Sequence, residues 1–218
     1  MEFSKVLATR QSKRWFSDKA LPTGLLEELI AQAQQSPSWI NSQSIQVTIA
    51  KGDKLNAMRK QHAELNHDDN EPSRPYIPFR PISEWEEPAQ FNMKGWFGDV
   101  QAAMGDEGSA KLAEAGDQLY NAQAVVYLTL PKNYSEWALI DLGLFADTLL
   151  LAATDAGLGS IPAYQYVQYP DKLQENLGLD ENRVPILGIG LGYADDHEGL
   201  NKIHSQRMPL KKMLNILD

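Results

Sequence analysis

From Trp137 to Ala156 the chain is apolar on nearly every side, carrying Leu139, Ile140, Leu142, Leu144, Phe145, Leu149, Leu150 and Leu151. A helix with no polar face to give to water must lie inside a domain or against a second subunit. A membrane span is the other home for such a stretch. Asp141 and Asp147 interrupt it, however, and its apolar part, Trp137 to Ala153, reads as too short and too charged to cross a bilayer. The rest of the chain must therefore supply the cover. With 43% hydrophobic and 22% charged residues over 218 positions it has the material for a core, and the length suits one domain.

The covering elements are visible as periodicities. Leu25, Leu26, Leu29, Ile30 and Ala33 recur at helical spacing behind Thr23, a candidate N-cap preceded by Pro22, and Pro37 stops that helix. Ile45, Val47 and Ile49 alternate as a strand, and a second helix is expected over about Asp53 to Leu65. Phe91 to Tyr120 is helical with a break at Gly105 to Ser109. Ala124 to Leu130 is a β-rich run, and Ser160 to Ala163 a short strand. Pro170 to Leu177 is a short helix, Val184 to Leu191 a buried strand, and Gly192 to Asp218 an extended tail with a last basic helical turn. Helices outnumber strands and separate them, which predicts an α+β fold in a single domain, 1–218. One excursion stands out at about residues 66–90. It holds Pro72, Pro75, Pro78, Pro81 and Pro88 together with Tyr76, Phe79 and Trp85. A loop of that length is functional or mobile, and its aromatics either cap a pocket or anchor the loop.

Charge and composition remove several classes of function. The formal charge is −9, from 29 acidic against 20 basic side chains, so the overall field repels polyanions and nucleic acid is not an expected partner. The absence of cysteine excludes disulfides and thiolate catalysis, and suits a reducing, cytoplasmic setting. The start of the chain (Glu2, Ser4, Lys5) is polar and has no apolar signal core. Gly188-Ile189-Gly190-Leu191-Gly192 imitates a dinucleotide fingerprint, but too little chain follows it for a βαβ unit, so the glycines mark a tightly packed strand. His62, His67, Asp68 and Asp69 lack metal-ligand spacing and read as a solvated polar stretch.

Four segments carry groups suited to a small ligand. In Arg10-Gln11-Ser12-Lys13-Arg14 the two arginines, four apart, would share a face with the Ser12 hydroxyl on a helical turn, and forked guanidinium donors match a phosphate. In Ser36-Pro37-Ser38-Trp39-Ile40-Asn41-Ser42-Gln43 the amides of Asn41 and Gln43 offer paired donors and acceptors. In Gly157-Leu158-Gly159-Ser160-Ile161-Pro162-Ala163-Tyr164-Gln165, Pro162 fixes the backbone ahead of the last three residues. The tail then brings Asn201, Lys202 and Arg207, followed by Met208-Pro209-Leu210.

Taken in order, these four segments resemble the nitroreductase family of FMN enzymes, over nearly the whole chain. Tyr120-Asn121, Asp141-Leu142-Gly143 and the stretch from Ile189 to Asp195 are most similar to the nitrobenzoate-reductase-like branch. The resemblance implies a central, mainly antiparallel sheet flanked by helices in an intertwined homodimer, with FMN at the subunit interface. It implies that Arg10, Ser12 and Arg14, with Gln11 adjacent, hold the FMN phosphate and ribityl chain, and that Arg207 completes the phosphate grip. Pro37, Ser38, Trp39 and Asn41, supported by Gln43, would come from the partner subunit, while Ala163, Tyr164 and Gln165 would run along the flavin ring. The implied reaction is two-electron, ping-pong transfer from NAD(P)H to a small aromatic acceptor, with the chemistry at flavin N5 and no side chain as classical acid or base. Quinone, flavin or enone reduction on the same scaffold, or a flavin-binding module without turnover, are the alternatives. Ser44 and Ile45 after Gln43, Trp39 at a position often small, and Tyr164-Gln165 in place of the common glutamate-glycine pair are departures that bear on substrate preference.

Overall fold

The computed structural model describes residues 1–217. Its centre is a four-stranded, wholly antiparallel sheet of β1 (Gln46–Lys51), β2 (Ala124–Pro131), β3 (Gly159–Ala163) and β4 (Arg183–Gly192), in the order β1-β2-β4-β3. Seven α-helices surround it: α1 (Phe3–Thr9), α2 (Thr23–Ala33), α3 (Gly52–Asn66), α4 (Glu87–Met104), α5 (Gly108–Asp117), α6 (Glu136–Asp155) and α7 (Pro170–Leu177). The expected α+β class is met, and each strand read from the sequence is present.

The central pair β2–β4 is apolar on both faces because each face has its own core. Along β2, Ala124, Val126, Leu128 and Leu130 point to one side and Val125 and Tyr127 to the other, all fully buried. The two-residue period of a strand thus divides one continuous apolar run between two hydrophobic layers. The first layer packs against α2 (Leu26, Leu29, Ala33) and α6 (Leu142, Phe145, Leu149, Ala153). The second packs against α3 (Leu55, Met58), α5 (Ala115) and α7 (Leu173), with Phe16 and Tyr166 at its centre.

Helix α6 is long and apolar enough to cross a membrane by length and composition, contrary to the expectation that the stretch is too short. Its inner face closes the first core. Its outer face leaves Trp137, Ile140 and Leu144 exposed, spaced so that they form one stripe. Three local readings are also corrected. Thr23 does not cap α2, because its hydroxyl accepts a bond from Lys51 Nζ (2.6 Å) instead. The Pro-rich excursion ends at Glu86, where α4 begins with Pro88 in its first turn, a position that needs no amide donor. His62 is not in a solvated stretch. It lies one turn beyond Leu55 and Met58 on the buried face of α3, 6% exposed, with its Nε2 3.1 Å from Asn66 Nδ2.

Gly188, Gly190 and Gly192 alternate along β4 and clear a groove for two aromatic rings. A methyl group at Gly188 or Gly190 would overlap Tyr166, and one at Gly192 would come within 2.9 Å of Phe16. Tyr166 is 1% exposed and has no room to retreat. Gly190→Ala is therefore expected to destabilise the fold by about 3 kcal/mol, read from urea unfolding midpoints; a change below about 0.5 kcal/mol would contradict the packing described. Burial also lowers the His62 pKa from its ordinary 6.5 to about 4. The native state thus resists a proton that the unfolded chain accepts. His62 contributes fully above about pH 6.5, and its contribution falls away as the pH drops toward 4, by on the order of 3 kcal/mol in total. Between about pH 7 and about pH 4.5, wild type should lose more stability than His62→Gln, and equal losses would contradict the assignment.

Candidate functional site

After α1 ends at Thr9 the chain runs extended. Ser12 forms a parallel bridge to Ser160 at the edge strand β3, Lys13 N–H donates to Ser160 O (3.0 Å), and Phe16 bridges Ala194. The expected helical turn is absent. Arg10, Ser12 and Arg14 nevertheless fall on one side, because alternate residues of an extended chain share a face. Asn201 from the tail, 3% exposed, clips this segment in place. Its Oδ1 accepts from Arg14 N–H (2.6 Å) and Trp15 N–H (3.2 Å), and its Nδ2 donates to Trp15 O (2.7 Å) and Asp195 O (2.8 Å).

That clip carries the Arg14 side chain into a cleft of about 380 Å³, whose walls include Ser12, Trp96, Leu112, Tyr120 and the run from Ile161 to Gln165. Arg14 is 8% exposed, with its guanidinium 5.2 Å above the Trp96 ring. It donates to Ser12 O at 3.3 Å and forms no ion pair with a carboxylate among the described residues. Burial lowers its pKa, partly offset by the neighbouring Tyr120. A buried guanidinium with most of its five donors unused is matched to an anionic or strongly accepting ligand. At the far wall, Ala163 is buried, while Tyr164, 37% exposed, stands at the rim. The excursion after α3 reaches the site there. The Ser73 and Tyr164 hydroxyls are hydrogen-bonded, and Phe79 meets the Tyr164 ring edge-on at 6.5 Å.

Arg10, part-buried after α1, is coupled by charge to Arg207 of the tail. The Arg10 pKa is lowered first by burial and then by the positive charge of Arg207, with Asp147 acting against both. Arg207 is exposed and, among the described residues, bonds backbone carbonyls of its own segment, those of Ser205 and Gln206. Among the described residues, Gln11 Oε1 and, on β3, Ser160 Oγ are buried without partners.

The segment holding Pro37, Ser38, Trp39, Asn41 and Gln43 does not line this cleft within the chain. It sits against α6, where the buried carboxylate of Asp141 accepts from Trp39 N–H (2.9 and 3.1 Å) and from the Ser42 hydroxyl (3.0 Å). Trp39 stacks on Trp137 with ring centres 4.2 Å apart. Ile40, Asn41 and Gln43 take φ of 45°, 58° and 46°, a region that is unusual for any side chain and most of all for β-branched Ile40. Each such residue costs on the order of 1–3 kcal/mol and persists only where partners enforce it. Ile40 is 85% exposed, so the loop holds an apolar side chain out into solvent.

The chain matches the model of the Nitroreductase family over residues 7–193. It belongs to that family. Among curated relatives it is 24% identical over 209 residues to a 4-nitrobenzoate reductase of Pseudomonas putida, covering 95% of this chain and 91% of that one. It is 29% identical over 225 residues to nitroreductase NfnB of Mycolicibacterium smegmatis, covering 95% and 89% respectively. Two solved structures share the fold across essentially the whole length. The FMN- and NADPH-dependent nitroreductase NfnB of Sphigopyxis sp. strain HMH superposes with a TM-score of 0.91 at 23% identity, covering 100% of both chains. The FMN-dependent NfnB of Mycobacterium smegmatis in complex with NADPH superposes at 0.90 with 23% identity, covering 99% of this chain and 97% of that one. The family read from the four segments is thus the right one, and so is the likeness to nitrobenzoate reductases.

Sequence reasoning missed Trp96, Leu112 and Tyr120 as cleft walls. Trp96 and Leu112 were hidden inside an ordinary helical pattern. Tyr120 was noticed only as part of the family likeness, since nothing in the sequence signals the left-handed backbone that aims it. The role of Asp141 is open to test. Asp141→Ala should release the loop, abolish the near-ultraviolet circular-dichroism couplet of the Trp39–Trp137 stack, and lower stability by about 2 kcal/mol. A retained couplet would show that the carboxylate is not what holds the loop.

Proposed function

We propose that this chain is an FMN-dependent oxidoreductase that passes two electrons from NAD(P)H to a nitroaromatic or similarly small aromatic acceptor. The observation that carries this reading is the Arg14 guanidinium buried in the cleft wall without a carboxylate partner among the described residues, with Arg10 and Arg207 as a second pair of cations coupled to each other by charge. A phosphate dianion suits that pair, because each guanidinium offers parallel N–H donors to its oxygens. Ser12, in the cleft wall on the same side of the extended segment as Arg14, offers its hydroxyl to a ribityl chain. The donor set therefore fits FMN, which when bound supplies the two-electron chemistry between nicotinamide and acceptor.

The residues of the chain bind and orient. Arg10 and Arg207 would hold the phosphate, and Ser12, with Gln11 adjacent, the ribityl chain. Arg14 would supply a fixed positive charge in the cleft to hold the negative charge of the reduced ring. Ala163, Tyr164 and Gln165, on a backbone direction fixed by Pro162, would line the ring. Trp96 and Leu112 exclude water from one side, and the strap of Ser73 and Phe79 narrows the mouth at Tyr164. No side chain is assigned as an acid or base. A second copy of the chain completes the site. The exposed stripe of Trp137, Ile140 and Leu144 supports a homodimer, and the loop it carries would bring Pro37, Ser38, Trp39, Asn41 and Gln43 to the neighbour's cofactor. A reducing, cytoplasmic setting follows from the NAD(P)H requirement and suits a chain without cysteine.

Arg10→Ala combined with Arg207→Ala should weaken FMN binding by at least about a hundredfold, giving a colourless preparation with no NAD(P)H oxidation. A double variant that purifies yellow and turns over at the wild-type rate would overturn the reading.

A further inference from the structure

Leu119, Tyr120 and Asn121 adopt φ of 47°, 57° and 53° in succession, a left-handed turn made without a single glycine. Each step is disfavoured for an L-residue, and three together need enforcement. The enforcement comes from three elements. Arg59 on α3 brackets the turn, donating from Nε to Gln118 O (2.9 Å) and from Nη2 to Ala122 O (2.6 Å). The Tyr166 hydroxyl donates to Leu119 O (3.3 Å), and Asn121 Nδ2 donates to Phe16 O (2.9 Å).

What the turn places is Tyr120. Its ring is 7% exposed on the cleft wall, and its hydroxyl donates to Gln165 Oε1 at 2.9 Å. Burial raises the pKa of that hydroxyl to about 12, so it stays a donor throughout the physiological range. An amide whose oxygen is engaged in this way keeps its N–H₂ group for another acceptor. Among the described residues nothing accepts a bond from Gln165 Nε2. Gly116 leaves it the space, since the amide nitrogen lies 3.2 Å from where a Cβ would stand.

We propose that Tyr120 is a positioning residue that fixes the Gln165 amide with its N–H₂ group offered to the electron acceptor, and that Arg59 holds this arrangement from outside the cleft. The site then selects acceptors that present an oxygen lone pair, a nitro or carbonyl oxygen, over rings that carry none. This rests on the oxidoreductase reading above.

The test uses the FMN-loaded protein and two probes of like size, acetophenone with one carbonyl oxygen and ethylbenzene with none, each titrated against the flavin absorption spectrum. Wild type should bind acetophenone about tenfold more tightly, as one oriented hydrogen bond provides. Tyr120→Phe should reduce that preference to within about twofold while leaving ethylbenzene binding and FMN content unchanged. Arg59→Met should act likewise, and if it fails to fold, Tyr120→Phe decides, because removing one hydroxyl leaves every backbone partner of the turn in place. In turnover, Tyr120→Phe should raise KM for nitrobenzene and leave KM for NAD(P)H unchanged. A Tyr120→Phe protein that keeps the preference, or that weakens both probes equally, would overturn the proposal. A wild-type protein that holds FMN and turns over but shows no preference overturns this proposal alone, whereas one that holds no FMN overturns the functional reading as well.

Discussion

The buried amide of Asn201 ties the two ends of the chain together, and the site depends on that tie. Its four hydrogen bonds fix the backbone of Arg14 and Trp15 against the tail. With the segment held extended along β3, Arg14 must enter the cleft, and Phe16 must fill the groove that Gly192 leaves on β4. The same tail carries Arg207, whose charge acts on Arg10. One neutral side chain, fully satisfied and excluded from water, thus sets the path of the Arg14 backbone without touching its charge.

The sheet supplies the rigidity on which this works. Because β2 and β4 are buried on both faces, a slip by one residue would exchange side chains between the two cores and move the β4 glycines away from Tyr166 and Phe16. The alternating glycines of β4 add a second lock by seating Tyr166, whose hydroxyl also steadies the left-handed turn at Leu119. Strain is concentrated in two places, that turn and the loop from Ile40 to Gln43, and each is anchored by a buried or charged group reaching in from a helix, Arg59 from α3 and Asp141 from α6. Backbone distortion at both sites goes with the presentation of a side chain, Tyr120 into the cleft and Ile40 out toward solvent.

Much of this was legible in the sequence, for physical reasons that differ by element. The strands and long helices announced themselves through periodicity, since burial on a face repeats at the period of the backbone. The cleft residues Ser12, Arg14, Ala163, Tyr164 and Gln165 were reached through the family resemblance of their segments taken in order, since no one segment is decisive by its own chemistry. Two errors came from assuming the commonest local geometry. Arg10 to Arg14 was placed on a helix because a spacing of four suggests one, yet an extended chain aligns the same residues. His62 was assigned to water because its neighbours in sequence are polar, although a helix put it on the buried face with Leu55 and Met58. The left-handed turn could not be foreseen, since its conformation is imposed by Arg59 and Tyr166, which lie far away in the sequence and carry no local signal.

The claim at the centre of this account is that arginines from the two ends of the chain meet on one phosphate. The most direct measurement compares calorimetric binding of FMN and of riboflavin, which differs only in lacking the phosphate, to the apoprotein. The account predicts that FMN binds at least about a hundredfold more tightly than riboflavin, as expected for two guanidiniums on a dianion. Equal affinity for the two would contradict it.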